Sequence, residues 1–455
     1  MSRPSKTPQA KFTTGSTMRH VVIMTLTGAL GLSFMFLVDF LALFWVSQLE
    51  HEILIAAIGF AGTIQFFVIS VAIGMMIAGV ALVSRALGQG KGERARRIAT
   101  VAVIYCTLAQ VLIALVVFVY RSEILEWSGA SGESLEVATS FLAISLPSLP
   151  LIGAGMCAST ILRAIGDAWR SMMVTVSGGA VAMVLDPLFI LGFEWGVDGA
   201  AYVIVISRLA MAVFGIYWLA RTHNMMARPK RWDMVAFIKP YIIIAIPAVA
   251  TQCATPFGGW ILIRAMAEHG DGAVAGLGVV SRLTILGFGG IYALSGAIGG
   301  IIGQNAGAGL QKRVASAYTD ALIFCGLYTA VTWALMAACS NMIISGFGLS
   351  AEGGEVVRTF CYFAAGSFVF TGALFVSNAA YNNLGRPIWA TVANWTRDGL
   401  LMAPLAFAFG AWYGAAGVIW AQAAANTIVG IVAAYLAWRY VQTGGGVATP
   451  KAAKA

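Results

Sequence analysis

The chain has 455 residues, of which 59% are hydrophobic and 10% are charged, and its formal net charge at pH 7 is +9. Its mean hydropathy is +0.84. Soluble domains carry about 25% charged residues, so these values exclude a soluble protein of this length and predict that most of the chain lies in lipid. The six cysteines stand in apolar stretches without a CxxC pair, and the four histidines are far apart. We therefore expect neither a disulfide framework nor a metal site.

Twelve apolar stretches, each about long enough to cross a bilayer, follow a basic and polar N-terminal segment. The first stretch is too long for the core of a secretory signal, so we expect it to remain as a membrane anchor. Prolines inside the stretches predict bent helices; they are Pro147, Pro150, Pro187, Pro247, Pro256 and Pro404. The predicted spans are 21–46, 54–82, 98–120, 136–162, 171–193, 199–220, 237–263, 272–302, 315–340, 355–382, 388–412 and 414–438.

The second half of the chain repeats the first. Glycines recur at one constant offset, and in the same register GQGKGERA at 88–95 aligns with GAGLQKRV at 307–314. Such duplication is typical of secondary transporters. The recurring pairs are Gly59 and Gly278, Gly88 and Gly307, and Gly166 and Gly385. The predicted division is an N-terminal tail at 1–18, a first lobe at 19–222, a linker at 223–235, a second lobe at 236–440 and a C-terminal tail at 441–455.

The distribution of Lys and Arg predicts the orientation of the spans. Most of these residues lie in the two termini and in the loops after even-numbered spans, including Arg94, Arg228 and Arg313. Because cytoplasmic loops are rich in Lys and Arg, both termini are predicted to be cytoplasmic. Six spans per copy then give two six-helix bundles related by a pseudo-twofold axis along the membrane normal. The basic side also accounts for the net charge, so we expect no nucleic-acid partner.

Asp39, Asp186 and Asp398 stand well inside predicted spans, at least seven residues from either end. A carboxylate there is costly and needs a reason. Asp39 and Asp186 each lie seven residues before the outer end of a span, a depth of about 10 Å at ~1.5 Å per residue. Equal depth predicts that they share one cavity and bind protons or cations. The alternative is a structural role, in which each acid bonds a hydroxyl or a carbonyl freed by Pro187. For Asp398, beside Arg397, structural pairing and a second-lobe polar site are both open.

Side chains near Asp39 are candidates for lining a substrate pocket. Met35, Phe36 and Phe40 lie on the same span, and Gln65 lies on the next one. Methionine and aromatic side chains adapt to varied amphipathic cations, although in membrane helices they also face lipid or fill the core.

The chain lacks the sequence motifs of ATP hydrolysis and of common enzyme chemistry. It has no GxxxxGK[ST], and GQGKGE at 88–93 lacks the spacing that cradles phosphates. It also has no GxSxG or HExxH. We therefore expect a protein that is not an enzyme, that has no cofactor, and that takes its energy from an ion gradient.

From about residue 18 to 440 the chain resembles the multidrug and toxic compound extrusion (MATE) transporters. The stretches that carry the resemblance are VDFLALFWVSQLEHEILIAAIGFAG at 38–62, LVSRALGQGKGERARR at 82–97, LRAIGDAWRSMM at 162–173, LDPLFILGFEWGVDGAA at 185–201, GGIIGQNAGAG at 299–309 and NNLGRP at 382–387. The resemblance implies two six-helix bundles that export organic cations against entering protons or sodium ions.

The resemblance also implies roles for single residues. An acid on helix 1 and an acid on helix 5 bind the coupling ion in that family, and these roles fall on Asp39 and Asp186. The sodium-linked branch uses a glutamate on helix 7, but the segment after Pro247 reads AVATQCATPFGGW and has no acid. The proton-linked, DinF-like branch fits better. The asparagine often found four residues before the helix 5 acid is Ala182 here, which predicts a thinner ion-binding network.

Together these features predict a secondary active transporter of the inner cell membrane that exports organic cations by antiport with protons. We expect a monomer whose partners are small organic cations, protons and the lipid bilayer. Three alternatives stay open: a sodium-coupled drug antiporter, a lipid-precursor flippase of the same superfamily, and a structural or receptor membrane protein.

Overall fold

The computed structural model describes residues 9–47 and 52–447, and every regular element in those ranges is helical. The described residues fall into two compact units. The first is built from Leu30–Val249, and the second from Lys11–Ala29 and from Ala250 onward. The predicted tails at 1–18 and 441–455 lie partly outside the described residues.

Within residues 9–47 and 52–447, each repeat contributes eight α-helices. Those of the first are α1 (Thr17–Ser47), α2 (Glu52–Gly88), α3 (Gly92–Val119), α4 (Arg121–Trp127), α5 (Gly132–Ser145), α6 (Leu149–Ala164), α7 (Ala168–Pro187) and α8 (Gly196–Tyr217). Those of the second are α9 (Arg231–Ala267), α10 (Asp271–Gly287), α11 (Gly289–Gly307), α12 (Gln311–Gly346), α13 (Ala351–Tyr362), α14 (Phe368–Asn383), α15 (Pro387–Trp395) and α16 (Met402–Gln442). Short 3₁₀ turns cover Leu146–Ser148 and Ala364–Ser367, and π turns cover Leu188–Gly192, Trp218–Thr222 and Thr396–Leu401.

Prolines mark some of the irregular turns. Pro147 stands inside the 3₁₀ turn between α5 and α6, and Pro187 ends α7 just before a π turn. A proline removes one backbone hydrogen bond and its ring crowds the preceding turn. Pro247 and Pro256, in contrast, lie within α9, which the structure shows as one continuous helix. Proline alone therefore does not fix where a helix in this chain changes its geometry.

The span predicted at 272–302 is broken. Helices α10 and α11 meet at Phe288 with a bend of 47°. No proline lies there, but the segment reads GFGG, and glycine weakens a helix interior. The Tyr328 hydroxyl donates to the Gly287 carbonyl at 3.0 Å and accepts from the Gly290 N–H at 3.3 Å. One phenol thus satisfies backbone groups on both sides of the break.

The described residues include ten helices that are long and apolar enough to span a membrane, or eleven if the bent pair at Phe288 forms one span. The longest of the ten, Pro387–Gln442, contains two predicted spans. Gly414 separates them, because its φ of 62° and ψ of −152° are not helical. The predicted fold class, an all-α membrane protein with 12 transmembrane helices in two bundles, is confirmed.

Glycines let helices within each unit approach closely, as in other membrane proteins. In the first unit, a Cβ added to Gly155 on α6 would lie 2.9 Å from the backbone nitrogen of Ala212 on α8. In the second unit, a Cβ on Gly430 of α16 would lie 2.4 Å from the carbonyl oxygen of Phe370 on α14. Side chains larger than hydrogen at these positions would force the helices apart.

Part of the predicted N-terminal tail is packed rather than free. Phe12 is buried, and its N–H donates to the Gln304 side-chain oxygen at 2.9 Å. Its carbonyl accepts from Asn305 at 3.1 Å and from Arg313 at 2.9 Å. Composition alone predicts a polar tail here, but one buried aromatic ring and these bonds tie the segment to the second unit.

The linker between the repeats is bound along α3 of the first unit. The Arg96 guanidinium donates to the Asn224 side-chain oxygen at 2.9 Å and to the Met226 carbonyl at 3.1 Å. The Ala227 N–H donates to the Thr100 hydroxyl at 2.8 Å. The linker therefore has a defined path, although its composition is polar and basic.

Asp167 joins the linker to the start of α7. Its carboxylate accepts from the His223 ring at 2.7 Å, from the Arg170 N–H at 3.0 Å and from the Arg170 guanidinium at 2.6 Å. Burial by itself would raise the pKa of Asp167. The hydrogen bonds from His223 and Arg170 outweigh it and hold this pKa well below its usual range.

We expect Asp167→Asn to lower the free energy of unfolding by about 1 to 2 kcal/mol at pH 7, because hydrogen bonds to a charged acceptor contribute about that much. A depressed pKa in the folded state stabilises the protein above the unfolded pKa, about 3.9 for Asp, and this stabilisation declines as the pH falls below it. The difference between wild type and variant should therefore shrink below about pH 4. Detergent-solubilised protein unfolded at several pH values tests this.

The matched control is Glu93→Gln, which removes an acid from an exposed ion pair with Arg96. It should change the free energy of unfolding by less than about 1 kcal/mol. Equal effects of the two substitutions, or a loss for Asp167→Asn that does not depend on pH, would contradict the assignment.

Candidate functional site

Helices α1 and α7 lie in direct contact within the first unit. A Cβ on Gly179 of α7 would lie 2.7 Å from the Phe34 ring and 3.1 Å from a Val38 methyl on α1. At another point of the same contact, a Cβ on Gly31 would lie 3.2 Å from the Met172 side chain. Glycine on each helix thus permits close side-by-side packing. The residue after Val38 is Asp39, the first of the predicted acids.

The structure places the two predicted acids of the first unit on α1 and α7, the two helices in contact. Asp186 is buried, with 4% of its surface exposed, whereas Asp39 is exposed. Neither carboxylate takes part in an ion pair with a Lys, Arg or His of the described residues. Two like charges on neighbouring apolar helices repel each other, so a bound proton or a cation would relieve the repulsion.

The candidate lining residues on α1 surround Asp39. Met35 and Phe36 precede it by four and three residues and therefore share its face of the helix. Both are half-buried, and Phe40 is exposed. Their assignment as lining residues stays a prediction, since these positions fit a pocket wall and a lipid-facing surface alike.

Gln65 has a different environment from the other candidates. It is buried and accepts a hydrogen bond from Arg208, while its amide nitrogen donates to the Ser145 hydroxyl at 3.0 Å. Arg208 also donates to the Ser145 carbonyl at 2.9 Å and to the Ser148 hydroxyl at 2.8 Å. The network encloses the 3₁₀ turn Leu146–Ser148. In this structure the Gln65 amide serves that turn, and its role toward substrate stays a prediction.

In the second unit, Arg397 and Asp398 form a two-pronged ion pair, with N···O distances of 2.8 and 2.7 Å. Both residues are buried. Neighbours on an α-helix point in different directions. Thr396–Leu401 is a π turn, however, and its wider winding lets the Arg397 side chain fold back onto Asp398.

The two repeats place acids on opposite sides of the corresponding contact. In the register of the recurring glycines, Asp39 aligns with Gly258, and Asp398 aligns with Gly179. A Cβ on Gly258 would lie 2.9 Å from the Cβ of Asp398. Each repeat therefore has a glycine that receives side chains of the other helix and an acid at this contact. The acid of the first repeat lies on its first helix without an ion-pair partner among the described residues, whereas that of the second is neutralised by Arg397.

Comparison with known proteins settles the family. A family model described as MatE matches residues 29–188 and again residues 247–408, once in each repeat. The chain belongs to the MatE family. Its two matches cover both predicted lobes, and the first includes Asp39 and Asp186. The protein is therefore a multi-pass membrane transporter of the multidrug efflux (MATE) family, which is not a family of enzymes.

Curated relatives and solved structures agree with this family. The chain is 25% identical over 409 residues to an FAD transporter of Shewanella oneidensis, covering 87% of this chain and 89% of the relative. It is 23% identical over 403 residues to the multidrug export protein MepA of Staphylococcus aureus, covering 86% and 87%. A solved outward-facing multidrug resistance MATE family transporter of the MOP superfamily has a TM-score of 0.89 at 21% identity, covering 97% and 99%. This last likeness concerns the fold.

Proposed function

We propose that this MatE-family transporter exports organic cations by antiport with protons, and that Asp39 and Asp186 form the exchange site. The observation that carries the proposal is the pair of carboxylates on α1 and α7. They lie on helices that are in contact at Gly179. No Lys, Arg or His of the described residues pairs with either of them.

The mechanism is competition for this pair. A proton from the outer medium neutralises one carboxylate and weakens the attraction for a bound cation, which leaves. When the site opens inward, loss of the proton restores the charge and attracts the next cation. Coupling follows because proton and cargo favour different states of one site. Met35, Phe36 and Phe40 would supply adaptable apolar contacts for the cargo.

The arginines within the predicted spans favour a cationic cargo over an anionic one. Among the arginines within predicted spans, Arg208 is bound to Gln65, Ser145 and Ser148, and Arg397 is bound to Asp398. Arg282 and Arg358 are exposed. An anionic cargo needs unpaired cations, and two of these four arginines are already engaged. The similarity to an FAD transporter nevertheless makes FAD the second candidate substrate, and the similarity to MepA supports drug export.

Protons rather than sodium ions are proposed as the coupling ion. The segment AVATQCATPFGGW on α9 carries no acid, whereas the sodium-linked branch of the family that the sequence resembles uses a glutamate there. We further propose that the protein acts as a monomer in the inner cell membrane, with both termini cytoplasmic, as the distribution of Lys and Arg predicts.

The test is transport by purified protein in proteoliposomes. A fluorescent organic cation is followed under an imposed pH gradient, then under a sodium gradient, and then without a gradient. We expect transport driven by the pH gradient, and no effect of sodium. Transport driven by sodium alone would favour the sodium-coupled alternative, and transport of FAD but not of cations would contradict the proposed cargo. Absence of any transport, including that of lipid precursors, would favour a receptor or structural role.

A further inference from the structure

A cleft of about 590 Å³ lies at the start of α8 in the first unit, and its lining does not include Asp39 or Asp186. Its walls are made by Phe189 of the π turn after α7 and by one face of α8. The residues on the α8 side follow each other at helical spacing and are Trp195, Asp198, Tyr202 and Ile206. The cleft thus combines aromatic rings, one carboxylate and one aliphatic side chain.

The aromatic rings form a connected but open cluster. Trp195 meets Phe189 edge-on with ring centroids 5.1 Å apart, and it meets Tyr202 at 5.6 Å. Trp195 and Tyr202 each keep nearly half of their surface exposed. An organic ammonium ion over such a ring is stabilised by about 0.5 to 2 kcal/mol. The cluster therefore has ring surface available for a positively charged group.

The carboxylate in the cleft has no cation of its own among the described residues. Asp198 accepts a hydrogen bond from the Ser140 hydroxyl at 2.9 Å, which fixes its position. It forms no ion pair with a Lys, Arg or His in the described part of the chain. Glu194, exposed on the turn before Trp195 and held at φ 58°, adds a second negative charge nearby. A ligand with a cationic group would therefore complement the negative charge of this cleft.

The second repeat supplies an internal comparison. After a one-residue slip in the register of the repeat, Gly199 aligns with Gly417. A Cβ on either would collide with the carbonyl oxygen of a phenylalanine, Phe189 or Phe409. The second repeat also has an aromatic cluster, made by Phe409, Trp412 and Tyr413. At the position of Asp198, however, it has Ala416.

Aromatic rings at the ends of spans are common, because Trp and Tyr favour the membrane interface. That preference explains the rings of both repeats, but it does not explain an acid that only the first repeat carries. The acid and the cleft therefore require a reason specific to the first repeat.

The order of side chains along the cleft identifies the occupant. Asp198 lies at the beginning of α8, at the end of a candidate span. Ile206 lies eight residues further along, about 12 Å deeper at ~1.5 Å per residue. The cleft thus has a carboxylate at the membrane boundary, aromatic rings beside it and an aliphatic side chain deeper in the span. This order matches a molecule with an ammonium head and a hydrocarbon tail. We propose that this cleft binds a phospholipid whose headgroup carries an ammonium group, independently of the proposed transport mechanism.

The test compares two lipids that differ in headgroup charge. Purified full-length protein in detergent is mixed with phosphatidylethanolamine or phosphatidylglycerol, and bound lipid is counted by native mass spectrometry. Wild type should prefer phosphatidylethanolamine by about 3- to 10-fold, the factor that a contact of this kind supplies. Asp198→Asn, which can still accept from Ser140, should abolish the preference, and Trp195→Ala should reduce it.

The matched control is Trp412→Ala in the second repeat, which should leave the preference unchanged. Equal binding of the two lipids by wild type, or an unchanged preference in Asp198→Asn, would overturn the proposal. A loss confined to Trp195→Ala, with Asp198→Asn unchanged, would assign the cleft to the aromatic belt alone.

Discussion

Asp39→Asn should reduce proton-driven export of an organic cation by about 10-fold or more, the factor that corresponds to about 1.4 kcal/mol of lost coupling. The substitution keeps the shape of the side chain but removes the charge that proton and cargo are proposed to share. Asp39 is exposed and forms no ion pair with the described cations, so the fold should tolerate the change. Dye flux in proteoliposomes under an imposed pH gradient measures the effect, and gel filtration checks folding.

Asp186→Asn should act through the same pair. If the two carboxylates form one exchange site, the double variant Asp39→Asn with Asp186→Asn should lose little more export than Asp39→Asn alone. Substitutions at residues that act together have non-additive effects. Asp39→Glu should keep part of the pH-driven flux. Glu123→Gln, which removes an exposed acid outside the candidate spans, is the matched control and should export at the wild-type rate. Wild-type flux in Asp39→Asn would remove the central assignment.

Hydropathy and internal similarity predicted most of the architecture. Both depend on short-range properties that the sequence displays directly: the transfer of a stretch to lipid, and the recurrence of glycines where the backbone turns. Gly166 and Gly385 show the second property, since their φ values of 88° and 86° lie in the left-handed region. Acids inside spans were also evident, because a carboxylate in an apolar stretch is rare enough to indicate a function or a partner.

The partners of polar side chains were not predictable in the same way. Gln65 and Arg208 are 143 residues apart and meet only after helices have packed. Hydropathy does not distinguish a side chain that faces lipid from one that fills a core, so Gln65 was grouped with Met35 and Phe36. The pairing of Arg397 with its neighbour required a π turn, and the break at Phe288 occurs without a proline. The GFGG sequence was the one local signal for that break.

The assignment of α1 and α9 to the units could not be read from the repeat. Sequence similarity places each of them wholly in one copy. The structure instead places Lys11–Ala29 in the second unit and the part of α9 up to Val249 in the first. The Tyr241 hydroxyl donates to the Met75 carbonyl at 2.6 Å, and a Cβ on Gly74 would lie 2.5 Å from the Val249 nitrogen. Such contacts depend on which helix surfaces meet, and a repeat records only which segments share an origin.

The buried pair of Arg397 and Asp398 is where a single substitution should cost the most stability. Breaking a buried ion pair by removing one partner costs about 3 to 5 kcal/mol, because the remaining charge is left uncompensated. We expect Asp398→Asn to lower the free energy of unfolding by an amount in that range. Titration of detergent-solubilised protein with a denaturing detergent measures it. The double variant Arg397→Gln with Asp398→Asn removes both charges and should recover most of the loss.

The same experiment decides between the two roles left open for Asp398. A carboxylate that serves only to neutralise Arg397 predicts that the double variant is stable and still exports cations at close to the wild-type rate. A second-lobe polar site predicts that the double variant is stable but has lost export, since neutral amides cannot replace the charges in binding. A loss below about 1 kcal/mol in Asp398→Asn would contradict the buried pair itself, because that value is typical of exposed ion pairs. Asp39→Asn is the matched comparison: it removes an acid without an ion-pair partner among the described residues, so it should leave stability nearly unchanged while reducing export.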